Sequence, residues 1–476
     1  LHLRLGWRPT AAAAVGLLAA FAPGAHAAEV RIESGASATV TVTDNVRTEP
    51  NDRKEGGVIL GQTGETSIRG DGNRLDFALD LTLDLIETLG GDDDVAFQQT
   101  GFGFARAELL EDLFFVELDG SARRVLTSPT QGVSANPYST GQGRAQAYSA
   151  SISPWLQNDF AGWAEGELRY RRSEIILSEG LGDSSVDEFT AKLATGKRFD
   201  RLRLDGLAER HVTDSQTDTG DLERSTFLAE GRWFLIRELA LTAMGGHETI
   251  EAPSLLDPPS GPIWSLGFLT RPGPRTELEA SFGQRYGGST LEGAASYRIT
   301  PRLVFRASYG EAIETTQERL LGTRAFDRTT NQFVDPRTGQ VAEADPGTGN
   351  QNRAYRSKLA TASLTGTYER TTTTVRFEDE SRDFDVTADD HVRRLSAEVT
   401  RRLRTDLEGA VLVGLQRYDG PGTQDYRTAL GRVELAQDLA RNLKLTGALM
   451  HSRRVGDQPG LGYGETAALV GLRYGF

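Results

Sequence analysis

Cysteine is absent from the 476 residues, which excludes disulfides, zinc–thiolate sites, cysteine nucleophiles and a lipoprotein anchor. Histidine is nearly as scarce. Only His211, His247, His391 and His451 follow the first 27 residues, too far apart in sequence for His-x-x-x-His or carboxylate spacing typical of metal sites. Lysine occurs five times, against 48 arginines. No apolar run beyond residue 27 reaches the length of a membrane helix, and mean hydropathy is -0.40. With a net charge of -14, the chain is a poor partner for nucleic acid.

The N-terminal segment reads as a targeting sequence. Arg4 and Arg8 precede an apolar stretch over 11–22, and Ala25-His26-Ala27 offers small residues for cleavage. That is the pattern of a secretory signal peptide over residues 1–27. A short periplasmic segment is expected over 28–36, with the folded body over 37–476.

What dominates the rest is alternation. Leu75, Phe77, Leu79, Leu81, Leu83 and Leu85 share one face of a segment whose other face carries Asp76, Asp80 and Asp84. A two-residue period is that of a strand, and no helix satisfies it. The pattern recurs. Leu278, Ala280 and Phe282 oppose Glu277, Glu279 and Arg285; Phe305, Ala307 and Tyr309 oppose Arg306 and Ser308; Leu168 and Tyr170 oppose Glu165, Glu167 and Arg169. No helices or second apolar faces are in evidence to cover these sheets, which makes lipid the partner of the apolar face. Short turns such as Leu110–Leu113, Arg198–Leu202, Thr300–Leu303, Arg402–Asp406 and Leu439–Leu443 alternate with longer loops, including Arg124–Gly143, Thr249–Pro262 and Ile313–Ala354.

The expected fold is therefore all-β: a transmembrane antiparallel outer-membrane barrel of about 22 strands, within a range of roughly 18–24, with both termini periplasmic. The last strand ends Leu472-Arg473-Tyr474-Gly475-Phe476, and Leu472, Tyr474 and Phe476 read as an assembly signal for the barrel-assembly machinery. The strand is expected to close the barrel against Ser37–Val46. No plug domain of useful length or TonB-box-like segment precedes that first strand, which speaks against a TonB-dependent receptor.

Candidate function then concentrates in the lumen. Asp76, Asp80, Asp84, Glu165, Glu167, Arg169, Glu277, Glu279, Arg285, Arg306 and Arg473 are expected to line it. They either guide a hydrated solute or simply brace the wall through ion pairs. The loop Ile313–Ala354, long, charged and containing Gly and Pro, is the candidate constriction. Gly90-Gly-Asp-Asp-Asp94 reads as a solvated acidic turn lacking the spaced ligands of a calcium loop. Gly101-Phe-Gly103 lacks the lysine-serine ending and following helix of a nucleotide loop. No catalytic residue, cofactor or metal is expected, although a barrel that brought His247 and His451 together at its rim would reopen an enzymatic reading.

Several stretches carry a family resemblance. Ala38-Thr-Val-Thr-Val-Thr-Asp-Asn-Val46, Ala107-Glu-Leu-Leu-Glu-Asp-Leu-Phe-Phe115, Tyr148-Ser-Ala-Ser-Ile-Ser-Pro-Trp155, Glu167-Leu-Arg-Tyr170, Gly261-Pro-Ile-Trp-Ser-Leu-Gly267, Arg271-Pro-Gly-Pro-Arg-Thr276 and Phe333-Val-Asp-Pro-Arg-Thr-Gly339 occur in an order that resembles the outer-membrane β-barrel associated with the PEP-CTERM/exosortase system. The resemblance implies the outer membrane of a Gram-negative bacterium, and a passive, non-enzymatic channel or scaffold in exopolysaccharide export or surface-protein sorting. It implies outer-membrane lipid, lipopolysaccharide, the barrel-assembly machinery, and exopolysaccharide with its export machinery as partners. The alternatives are a docking barrel with a closed lumen and, third, an enzyme acting on lipid or polysaccharide.

Overall fold

The computed structural model describes residues 29–476, apart from 91–93, 127–133, 140–143, 179–181, 200, 217–220, 323–324, 328–331, 336–339, 342–352, 386–387, 423 and 459. The proposed signal peptide and most of the acidic turn at 90–94 lie outside the described residues.

Twenty-two long strands form one closed antiparallel sheet. In chain order they are β1 (Glu29–Thr43), β2 (Gly57–Asp71), β3 (Leu75–Leu89), β4 (Asp94–Leu110), β5 (Phe114–Leu126), β6 (Arg144–Asp159), β7 (Ala164–Leu177) and β8 (Ser184–Thr195). Next come β9 (Leu202–Ser215), β10 (Leu222–Ile236), β11 (Leu239–Glu251), β12 (Gly261–Gly273), β13 (Thr276–Arg285), β14 (Gly288–Thr300) and β15 (Leu303–Thr315). A seven-residue helix α1 (Thr316–Gly322) and a small sheet of β16 (Ala325–Asp327), β17 (Gln332–Asp335) and β18 (Gln340–Val341) interrupt the series. The barrel resumes with β19 (Ala354–Thr367), β20 (Thr371–Asp383), β21 (Asp390–Arg404), β22 (Leu407–Asp419), β23 (Tyr426–Ala440), β24 (Leu443–Gly456) and β25 (Tyr463–Gly475).

Closure comes from β1 and β25, which pair from Gly35 opposite Gly475 to Thr43 opposite Ala467. The ring has no open edge, so its backbone N–H and C=O groups are paired within the sheet, the condition for crossing hydrocarbon with strands. One boundary differs from expectation. The first strand starts at Glu29, eight residues before Ser37, and Glu29–Ala36 pair with Asp71–Gly64 of β2. The alternation Val30, Ile32, Ser34 has the strand period, so Glu29–Ala36 are part of β1; residue 28 lies outside the described residues. At the other end β1 stops at Thr43, and Asp44–Val46 belong to the following loop.

Burial is inverted relative to a water-soluble protein. Along β1, Val40 and Val42 are 47% and 57% exposed while Thr39, Thr41 and Thr43 are buried. Leu83, Leu85, Val411, Val413 and Leu415 are exposed in the same way. Apolar side chains facing out with polar ones facing in is the signature of a lipid-embedded barrel. The protein is an outer-membrane β-barrel.

One end of the barrel is built from tight connections. Arg237-Glu238, Pro274-Arg275, Pro301-Arg302, Thr405-Asp406 and Arg441-Asn442 each join two strands, and a register shift in the preceding strand accompanies each. The extra residue adds local twist and sends the chain straight back. This short-turn end is periplasmic and the long-loop end extracellular. Among the described residues the asymmetry has an exception. Tyr286-Gly287, both with positive φ (54° and 74°), make a two-residue turn on the long-loop side. Two consecutive positive φ values fit the twist of a hairpin, and glycine accepts the second at no steric cost.

Candidate functional site

The inner face holds every charged candidate read from the sequence. Asp76, Asp80 and Asp84 alternate with the outward leucines of β3. Asp80 accepts from Arg69 at 2.8 Å, Asp84 from the Thr63 hydroxyl at 2.6 Å, and Asp76 stands opposite Arg106 in register. On β7, Arg169 lies 3.3 Å from Glu167 and 3.7 Å from Glu117, and Glu165 lies 3.8 Å from Lys197. Arg169 also covers the Trp155 ring at 4.3 Å, and Trp155 stacks on Phe115. Glu277 pairs with Arg271 at 2.7 Å, and Arg285 donates twice to Glu248, at 2.6 and 3.1 Å. Arg473 pairs with Glu65 across the closure seam. Glu279 is on the same face of β13, and Arg306 is exposed on the inner face of β15. Most of these charges are therefore tied to neighbours, which braces the wall while leaving a polar surface.

The extracellular half is different, because two segments of the chain reach into it. Helix α1 leaves β15 and enters the bore. Thr315 and Glu318 form a capping box: the Glu318 N–H donates to Thr315 Oγ1 at 3.1 Å, and the Thr315 N–H donates to Glu318 Oε2 at 3.2 Å. Glu318 also contacts His211 Nε2 at 2.8 Å and accepts from the Thr213 hydroxyl, both on β9. Arg319 forms a two-point ion pair with Glu380 of β20, and Arg123 of β5 donates to the Leu320 carbonyl. Leu320 packs among Val125, Ala145, Ala147, Ile175 and Leu177 at the extracellular ends of β5–β7. On the ring, β5 and β20 stand close to opposite each other. The helix is a bar across the lumen.

Burial pushes the Glu318 carboxyl up, but His211, Thr213 and the Arg224 charge outweigh it and hold it below the usual carboxylate range. Arg319 loses hydration by burial, yet Glu380, Tyr355 and Glu314 hold its guanidinium well above its ordinary value. Both anchoring charges are thus favoured in place.

A second inward segment comes from the β5–β6 loop. Ser134 donates to Glu465 of β25, the Ala135 N–H to the Ser452 hydroxyl of β24 at 2.7 Å, and Tyr138 approaches Thr63 at 3.4 Å. Ala135 and Tyr138 pack on Ala448, Met450, Ala467 and Leu469, and Tyr138 also on Ile59 and Ile86. Of the loop 313–354, the candidate constriction, α1 is the described part that reaches the inner wall, and the 134–139 stretch is a second inward segment.

Sequence reasoning passed over Glu318, Arg319, Glu380, His211 and the 134–139 segment. Thr315-x-x-Glu318 directly after a strand was the readable signal for the helix start. Nothing local marked its partners. The two histidines of the enzymatic reading do not converge. His247 and His451 both face outward, and their strands are ten apart around a ring of 22. His451 contacts Thr466 at 3.0 Å, and His247 borders a mainly apolar depression of about 840 Å³ along β6–β11. Among the described residues no cluster of His, Asp or Glu is arranged to hold a metal ion. Leu472 and Tyr474 are exposed on the outer face of β25, and the Phe476 N–H donates to the Ser34 carbonyl at 2.8 Å.

No family model matches the sequence, and no curated protein matches it. Solved structures do match in fold. The FrpB iron transporter from Neisseria meningitidis (F5-1 variant) superposes with a TM-score of 0.53 at 9% identity, over 93% of this chain and 82% of that one. The siderophore receptor PirA from Acinetobacter baumannii gives 0.51 at 10% identity, over 93% and 80%. The ferric-catecholate import receptor Fiu from E. coli K12 gives 0.50 at 8%, over 93% and 81%. At such identities the likeness is one of fold: this chain forms a 22-strand outer-membrane barrel like the barrels of these proteins.

Proposed function

We propose that this barrel is a non-enzymatic outer-membrane conduit whose passage is set by segments folded into its own bore, and that it serves the export of a hydrated exopolysaccharide. The observation that carries the reading is the α1 bar. It is held by ion pairs and hydrogen bonds to three separated parts of the wall, rather than by a large apolar interface. Polar anchors of this kind are lost one at a time, so the obstruction is of a movable type. The class of solute comes from the family resemblance and suits a wide lumen lined by paired charges. The fold-level neighbours named as transporters and import receptors support passage as the general role; the iron and siderophore specificity in their names belongs to them.

The two inward segments favour a second reading, a closed barrel that docks surface polymer through its loops. Single-channel conductance in planar bilayers separates the two. A conduit shows low conductance in the native protein and large, stable openings in a Glu380→Gln variant, which removes the counter-charge of the buried Arg319. Absence of conductance in that variant and in a 316–353 deletion, with the barrel folded, sinks the conduit reading.

A further inference from the structure

The outer wall of β21–β24 carries a feature that the lumen does not use. Arg393 of β21 stands directly opposite Arg417 of β22, and Arg417 directly opposite Arg427 of β23. On β24, Arg453 stands opposite Ala429, one outward position along from Arg427. All four side chains point away from the bore, since Val392, Tyr418, Tyr426 and Arg454 beside them are buried on the inside. Neighbouring strands are about 4.8 Å apart, so the first three guanidinium groups leave the wall within roughly 10 Å of one another.

Like charges directly opposite on adjacent strands are destabilising, so this row costs free energy unless an anion meets it. Neighbouring carboxylates supply part of that. Asp419 contacts Arg417 at 2.7 Å, Asp379 contacts Arg393 at 3.1 Å and also His391, and the charges of Asp425 and Asp457 reach Arg417. Arg427 and Arg453 are exposed and have no carboxylate partner among the described residues. Other outer-wall cations at this level are matched: Arg172 pairs with Glu174 and Asp187, and Arg210 with Glu223.

Height on the wall identifies the occupant. On the same outward face, the positions toward the periplasm are Leu395 on β21, Leu415 and Val413 on β22, Ala429, Gly431 and Val433 on β23, and His451 and then Leu449 on β24, all without charge apart from the His451 ring and mostly apolar. The arginines thus sit at the extracellular edge of the lipid-facing band, where outer-leaflet headgroups begin. We propose that Arg393, Arg417, Arg427 and Arg453 form a binding site for the phosphorylated headgroup of lipopolysaccharide, whose acyl chains lie along the apolar residues beneath. Arginine suits this ligand because its planar fork donates two hydrogen bonds to phosphate oxygens. The site is independent of whether the lumen conducts.

The test measures lipid A bound per purified barrel after exchange from vesicles of phosphatidylethanolamine containing bis-phosphorylated lipid A, dephosphorylated lipid A or phosphatidylglycerol. The native barrel retains the bis-phosphorylated form preferentially. Arg417→Gln, Arg427→Gln and Arg453→Gln together lower that affinity roughly 100-fold, at about 1 kcal/mol for each cation near a charged surface. Replacement by lysine at the same three positions restores a large part of it, and Arg172→Gln leaves it unchanged. Heat-modifiable mobility on gels establishes that each variant is folded. Equal retention of lipid A by the triple glutamine variant overturns the proposal. So does equal binding of dephosphorylated lipid A or phosphatidylglycerol by the native barrel.

Discussion

Arg319 of the helix in the bore and Glu380 of the barrel wall form a two-point ion pair in which the carboxylate side chain has no solvent exposure and the guanidinium 9%. Ser357 donates a further hydrogen bond to Glu380 at 3.3 Å. Removing one member of such a pair leaves the other charge buried and uncompensated, whereas removing both leaves only lost packing. Glu380→Gln is therefore expected to be more disruptive than Arg319→Leu combined with Glu380→Leu, by about 3–5 kcal/mol of helix anchorage. Bilayer conductance reads the difference: frequent openings in the single variant, fewer in the double. Equal opening in both refutes the pair as the anchor.

The Glu318 anchor has a defined acid response. Its folded-state pKa lies below the ordinary value of 4.5, so its contribution is complete at neutral pH and is lost as pH falls through the lowered folded value. The helix is thus expected to remain seated through the range in which free glutamates titrate, and to loosen only at more acid pH. Because the chain has no cysteine, a spin label at Gly322→Cys reports this without background. Mobilisation of the label in the native background at pH 5 contradicts the expectation. Glu318→Gln is expected to mobilise it already at pH 7.

Adjacent residues of β22 test the two faces. Val413 points to lipid and Leu412 to the lumen. Val413→Arg is expected to lose about 2–4 kcal/mol near the bilayer midplane, and Leu412→Arg far less. Urea unfolding in liposomes measures both. Similar losses at the two positions undermine the inside–outside assignment.

Asp76, Asp80 and Asp84 lie in line on the inner face of β3, with Arg69 and Arg106 close by. In a variant opened by deletion of 316–353, changing all three to Asn is expected to shift the cation-to-anion permeability ratio toward anions. Reversal potential under a salt gradient reads that ratio. No shift assigns these carboxylates to bracing alone.

Much of the architecture was legible because a strand's facing is a local property. Six alternating apolar residues in 75–85 specify which side of β3 meets lipid, whatever its neighbours are. The weakly patterned stretches 224–235 and 355–369 still became β10 and β19, because pairing with flanking strands compensates for a diluted alternation. β1 begins at Glu29 rather than near Ser37: the alternation Val30, Ile32 is only two residues deep among Glu29, Arg31, Glu33 and Ser34, and pairing with β2 is what identifies it as strand.

The sequence alone determined an all-β chain with an apolar outer face, a charged inner face and short turns opposite long loops, since each depends on residues within one or two positions of each other. The tertiary structure decided what the lumen contains. Glu318 meets His211 across 107 residues, Arg319 meets Glu380 across 61, and Arg123 meets Leu320 across 197. It also decided that Arg393, Arg417 and Arg427 stand side by side. Strand register and barrel closure set such neighbours, and no periodicity within one segment encodes which strand will lie opposite.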